Sequence, residues 1–152
     1  MTTTENSPAL LATLSGDFYT SATIFAAEQD EIFEKLWFCA ARSSDLANPG
    51  QFKNVQIGRE SVLVVRGKDG ALRAFLNVCR HRGARLCQEE SGQVRRNIQC
   101  MYHAWTYGLD GALVAAPNLT KMTDINRSDY GLVNVHLREW LGYAWEIGRA
   151  HV

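Results

Sequence analysis

From Ser21 to Trp37 the run SATIFAAEQDEIFEKLW returns Ile24, Phe25, Ile32, Phe33, Leu36 and Trp37 to one side every seven or eight residues. Apolar positions recurring at that interval predict an amphipathic helix, or two short ones, with Glu28, Asp30, Glu31 and Glu34 on its solvated face. The polar stretch 1–16 ahead of it, rich in Thr, Ser and Asn, reads as a flexible arm. After Asn48-Pro49-Gly50 the period changes to alternation, and short apolar runs separated by turn residues take over. Val62 to Val65 and Ala71 to Leu76 flank Gly67-Lys68-Asp69-Gly70, a hairpin with a glycine-supplied turn. Gln93 to Gln99, Trp105 to Tyr107, Ala112 to Val114, Leu132 to Leu137 and Tyr143 to Ile147 are further strand candidates, with Gly108-Leu109-Asp110-Gly111 as another turn. The pattern predicts a mainly β domain of small antiparallel sheets behind an N-terminal helix, without internal repeats.

Length and composition narrow the function classes. The chain has 152 residues, 46% of them apolar and 21% charged, which suits one globular domain with a core of its own. Sixteen basic residues balance sixteen acidic ones, so no global positive field draws nucleic acid or an anionic membrane. No run of eighteen apolar residues and no basic-then-apolar leader is present, and the expected location is cytoplasmic. In a reducing compartment Cys39, Cys79, Cys87 and Cys100 are ligands, catalytic groups or core residues rather than disulfides. Cys39, inside an apolar run, is expected in the core, and Cys87 as an unpaired thiol.

Chemistry concentrates in two segments. Cys79-Arg80-His81 and Cys100-Met101-Tyr102-His103 each couple a thiol to an imidazole in a short loop between predicted strands. A common zinc finger pairs two cysteines and then two histidines, with two or more residues between partners. A single residue between Cys79 and His81 suits ligands of two different metal ions better. A Rieske-type [2Fe-2S] cluster has that requirement, two cysteinates on one iron and two histidines on the other. Cys79 and Cys100 would take the inner iron, and His81 and His103 the outer one; a structural zinc module stays as the alternative. Two ferric ions, two sulfides and two thiolates sum to zero charge, so the oxidised core with neutral imidazoles can be enclosed at low cost.

The run NVCRHRGARLC from Asn77, followed by IQCMYHAWTY up to Tyr107, resembles the Rieske domain of the ring-hydroxylating oxygenase α-subunits. The likeness extends upstream through Phe18-Tyr19-Thr20, Glu28-Gln29 and Trp37, and downstream to Pro117-Asn118, covering nearly all of residues 17–145. It implies a Rieske iron–sulfur fold with two cluster-binding loops over 17–146, a [2Fe-2S] cluster on Cys79, His81, Cys100 and His103, and Arg82, Gly83, Tyr102 and Trp105 around those ligands. It also implies a ferredoxin or flavin reductase as electron donor, a homotrimeric parent enzyme, and electron transfer to a mononuclear non-haem Fe(II). Met101 stands where the family usually has proline, which frees a backbone angle. Ala84 and Tyr102 occupy the places of the disulfide that braces respiratory-chain Rieske loops. A potential in the lower part of the Rieske range of roughly −150 to +300 mV is therefore expected.

Around the motif, Arg80, Arg82, Arg85, Arg95 and Arg96 make either a solvated face or a positive surface that steers an acidic donor. A phenol beside a ligand sulfur, with Tyr102 the candidate, would raise the potential by hydrogen bonding. A mononuclear iron site needs two histidines and a carboxylate. Of four histidines two are assigned to the cluster, while His136 and His151 lie in no such motif. The expectation is a catalytic domain absent from this chain, which then does not oxygenate alone. Ile147 to Val152, IGRAHV, matches a translated sequencing-adapter string, and 147–152 is expected to be a non-native tail. A free-standing Rieske ferredoxin is the competing reading of function.

Overall fold

The computed structural model describes residues 11–117 and 126–147. Strand β3 (Glu60–Arg66) explains why the run Val62-Leu63-Val64-Val65 is apolar throughout rather than alternating. Both its faces are covered. Leu63 and Val65 enter one core with Phe52, Phe75, Leu86, Ile98, Trp105 and Tyr107. Val62 and Val64 enter a second with Ala40, Ala41, Leu46, Ala74, Val135 and Ala144.

The other strands are β1 (Trp37–Arg42), β2 (Gln51–Ile57), β4 (Leu72–Leu76), β5 (Ser91–Gln93), β6 (Asn97–Gln99), β7 (Thr106–Gly108), β8 (Leu113–Ala115), β9 (Asn134–Trp140) and β10 (Tyr143–Ile147). Seven form one sheet in the order β1-β10-β9-β4-β3-β2-β5, and β6-β7-β8 form a second. All the strand pairs are antiparallel. The architecture is the expected one of mainly antiparallel β-sheets with a small helical segment at the N-terminal side.

Three local expectations change. The helical segment is α1 (Asp17–Thr20), α2 (Ala22–Glu28) and a π-turn Gln29–Phe33, and it stops before Trp37, which begins β1. Ser21 caps α2 by accepting the Ile24 N–H at 3.4 Å. Trp37 continues the apolar stripe in sequence, but pairing with Ile147 draws it into the sheet. The predicted strand Gln93 to Gln99 is two, because β5 pairs with β2 while β6 pairs with β7, and the chain passes between the sheets at Val94–Arg96. Cys39 is exposed, not a core residue. A register shift between Cys39 and Ala41 lets Ala40 and Ala41 both turn inward. An all-apolar run such as WFCAA carries no phase from which that could be read.

One recurrence escaped the pattern reading. Gly67-Lys68-Asp69-Gly70-Ala71 and Gly108-Leu109-Asp110-Gly111-Ala112 fold alike, each closed by a Gly N–H to Ala carbonyl bond of 2.8 Å. In both, the Asp Oδ1 accepts the Ala N–H, at 3.2 and 3.1 Å. This is repeated turn chemistry rather than a repeated domain unit. Residues 1–10 of the expected arm and 148–152 of the expected tail lie outside the described residues, while Ile147 is buried at the end of β10.

Candidate metal centre

The two Cys–His loops share one backbone frame. In the first, the Cys79 N–H donates to the Ala84 carbonyl at 2.7 Å and the Gly83 N–H donates to the Cys79 carbonyl at 3.0 Å. In the second, the Cys100 N–H donates to the Trp105 carbonyl at 2.8 Å and the Ala104 N–H to the Cys100 carbonyl at 3.0 Å. Each closing residue, four places after its cysteine, is left-handed: Gly83 at φ +71° and Ala104 at φ +55°. Nothing lies within 4 Å of a Cβ built on Gly83, so glycine serves the backbone angle there and not a close approach. Met101, in the place of the family's proline, is exposed, and the second loop keeps its frame without it.

This frame sorts the donors by depth. Cys79 and Cys100 are each 2% exposed, set in the core floor with Leu86, Ile98, Trp105 and Tyr107. His81 and His103 stand half-buried at the rim, ring centroids 4.7 Å apart and edge to face at 75°. Trp105 stacks on His81 at 4.9 Å with 9° between planes, and Tyr130 meets Trp105 edge-on at 5.6 Å. Tyr102 lies against His103 at 4.0 Å. Burial first, then His103 and the Arg82 guanidinium, hold His81 below the ordinary histidine value, favouring the neutral imidazole that can ligate a metal.

The phenol at the sulfur is Tyr107, not Tyr102. Its Oη is 3.3 Å from Cys79 Sγ and accepts the Arg80 N–H at 3.0 Å. Tyr102 is 65% exposed and touches the imidazole instead. Burial, followed by the bond to Cys79, raises the Tyr107 phenol above its ordinary value, so it remains protonated and donates to a thiolate. Sequence spacing could not find this contact, because it joins residues 28 apart through the pairing of β6 with β7.

Asn77 is the second residue that sequence reasoning passed over. Fully buried, it accepts the Cys87 N–H at 3.0 Å and donates to the Cys87 carbonyl at 2.8 Å. Asn54 Nδ2 grips that carbonyl too, at 3.0 Å. Cys87 is free and buried, and burial pushes its thiol up to about 11, so it is an inert packing group. Arg80, Arg82, Arg85, Arg95 and Arg96 are all exposed, whereas His136 is an exposed residue of β9 outside the loops and His151 lies outside the described residues.

The donor chemistry fits two irons better than one ion. Sulfurs lie inside and imidazoles outside, two per level. Each iron of a Rieske cluster takes only two protein ligands.

Fold and loops together define a small β iron–sulfur domain. Residues 36–134 match the Rieske [2Fe-2S] domain family, and the chain belongs to it. Domains of this family bind a [2Fe-2S] cluster. The chain is 41% identical over 133 residues to the carnitine monooxygenase oxygenase subunit of Escherichia coli K12, covering 88% of this chain and 35% of that one. It is 42% identical over 127 residues to the glycine betaine monooxygenase oxygenase subunit of Pseudomonas aeruginosa, covering 83% and 29%. The solved quaternary ammonium Rieske monooxygenase CntA with L-carnitine superposes with a TM-score of 0.83 at 37% identity, over 90% of this chain and 38% of that chain. The chain thus spans about a third of the length of the curated relatives it matches.

Proposed function

We propose that Cys79 and Cys100 hold the inner iron and His81 and His103 the outer iron of a [2Fe-2S] cluster, and that the chain is the electron-transfer part of a Rieske oxygenase α-subunit. When bound, the cluster supplies a site that stores and releases one electron. The protein buries the sulfur side in an apolar floor, keeps the imidazole side at the surface for exchange with partners, and aims the Tyr107 hydroxyl at Cys79 Sγ. The observation that carries this reading is the shared frame of the two loops, which sets two buried thiols beneath two touching imidazoles. Oxygenation, by a mononuclear non-haem Fe(II), belongs to a catalytic domain outside these residues. The relatives favour a quaternary ammonium substrate over an aromatic ring for the parent enzyme, which would work as a homotrimer. The exposed arginines about the loops suit an acidic ferredoxin or flavin reductase, whose approach would slow with added salt.

Anaerobic reconstitution tests the assignment. The expected product is coloured, carries two irons and two labile sulfides per chain, and on reduction gives an EPR signal of mean g below the free-electron value. A colourless protein that binds one zinc overturns it. Recovery of the whole reading frame tests the parent: a two-histidine, one-carboxylate motif downstream is expected, and a stop codon without one favours the free-standing ferredoxin.

A further inference from the structure

The two imidazoles at the rim are supported unequally. An imidazole turns about a broad, soft torsion, so a ring that must aim a nitrogen at a metal needs its plane fixed from outside. Among the described residues the His81 ring is placed by other rings, with Trp105 stacked on it at 9° between planes and His103 edge to face. Trp105 is buried, and it belongs to the second loop while His81 belongs to the first, so the stack also ties the loops together in a chain whose four cysteines are all free. His103 differs. The ring against it, besides His81, is Tyr102, tilted by 35° and open to solvent.

Trp105 is itself held by a residue outside both loops. Tyr130 meets it at 78° between planes, the edge-to-face arrangement that restricts both rings of a pair. Tyr130 ends the 3-10 turn Arg127–Tyr130, which Asn126 caps by accepting the Ser128 N–H at 3.2 Å. Two residues on, the Leu132 N–H donates to the Gly111 carbonyl at 2.8 Å, and the Leu132 side chain enters the core that holds Cys79 and Cys100. The position of Tyr130 is thereby set by the Gly108–Gly111 turn of the smaller sheet, independently of the ligand loops.

We propose that Tyr130 is a positioning residue for the outer-iron ligand His81: it fixes the plane of Trp105, and Trp105 fixes the imidazole. The plane of His103, with only an exposed ring beside it on the solvent side, stays the more variable of the two. This rests on the reading of His81 and His103 as cluster ligands. Tyr130 lies in neither ligand motif, and its effect passes through a neighbour to a nitrogen it does not touch.

Two measurements on the reconstituted, reduced 152-residue protein test it. Tyr130→Leu removes the ring edge and keeps an apolar side chain, whereas Tyr130→Phe keeps the ring. In pulsed EPR, Tyr130→Leu is expected to shift and broaden the nitrogen coupling of one ligating histidine and leave the other unchanged. Chelator-driven cluster loss should also quicken about tenfold, the scale of removing a group that orients a metal ligand. Tyr130→Phe is expected to match wild type in both respects. Unchanged couplings in Tyr130→Leu, whatever the rate of cluster loss, overturn the proposal and make Tyr130 a packing residue. The second measurement leaves the core intact and decides the matter if Tyr130→Leu does not fold. In wild type one histidine coupling is expected to be narrow and the other broad, and the surface change Tyr102→Leu to alter the broad one alone. Two couplings of equal width, or a change in the narrow one, overturn the proposal. A wild-type protein without a Rieske EPR signal places the failure in the cluster assignment instead.

Discussion

Beneath the ligand loops and at the β1–β10 end of the large sheet, the protein buries polar groups in opposite ways. Under the loops, Asn77 is fully enclosed, and its Oδ1 and Nδ2 both bond the Cys87 backbone. Tyr107, equally enclosed, accepts one hydrogen bond and shares another with sulfur. At the other end Glu146 is 0% exposed, opposite Phe38 and Leu137, and neither carboxylate oxygen has a partner among the described residues. A satisfied buried polar group fixes geometry, whereas an unsatisfied one mainly costs stability. Around the loops Asn77 and Tyr107 are paired, although the Oδ1 of Asn54 beside them has no partner among the described residues; where the chain closes the sheet, both oxygens of an ionisable carboxyl are left without one.

The largest effect expected is loss of the cluster. Cys79→Ala and Cys100→Ala should each leave less than a tenth of the wild-type iron and sulfide after reconstitution, by absorbance and elemental analysis, because in the proposed assignment each thiolate is one of only two protein donors to the inner iron. A variant that still loads fully would remove the loops from the comparison altogether. Next comes Glu146, whose carboxyl is pushed up to about 7 by burial. Below about pH 4.5, the ordinary value of a glutamate, it is protonated folded and unfolded alike, and burial adds no ionisation cost. As pH rises from there to about 7 only the unfolded chain ionises readily, so stability falls, by about 3 kcal/mol in all at ~1.4 kcal/mol per pKa unit. Glu146→Val should therefore be more stable than wild type by that order at pH 8 and by much less at pH 5, in urea titrations. Equal pH profiles for the two proteins would mean that Glu146 is satisfied after all.

Much of what the sequence offers is local: the Cys–His spacings single out the residues proposed as ligands, and Gly67 to Gly70 names a hairpin. What stayed hidden depends on long-range pairing. The Tyr107 contact with Cys79 needs the smaller sheet, and the outward turn of Cys39 needs a bulge against β10. Likewise the matched frames of the two loops are invisible in sequence, since only the cysteines coincide when the loops are aligned on their hydrogen bonds, and the imidazoles fall one place apart.

A smaller effect separates the loops at their left-handed residues. Gly83→Ala should cost about 1–2 kcal/mol, the usual penalty for a side chain in that conformation, since free space around the position removes any steric term. Ala104→Gly relieves the same penalty and should be neutral or stabilising by up to ~1 kcal/mol after the entropy of glycine is counted. Opposite signs in thermal melts of the two variants are expected, and equal losses would show that the shared hydrogen bonds do not impose a shared backbone state.

The finest test concerns one hydroxyl. Tyr107→Phe keeps the ring in its enclosed site and removes only the donor to Cys79 Sγ. Reduction places an extra negative charge on the cluster, so a donor to its sulfur stabilises the reduced state more than the oxidised one, and its loss must lower the potential. If the difference between the two states is about 1 kcal/mol, within the usual worth of such a bond, the shift is about 40 mV at ~59 mV per tenfold for one electron. The Arg80 N–H also loses its acceptor, which adds a stability cost of about 1 kcal/mol but has no direct route to the cluster charge. A potential that falls while the EPR line shape holds would place Tyr107 in redox tuning. A fall in stability alone, with the potential unchanged, would make it a packing residue and erase the distinction drawn between the two buried regions.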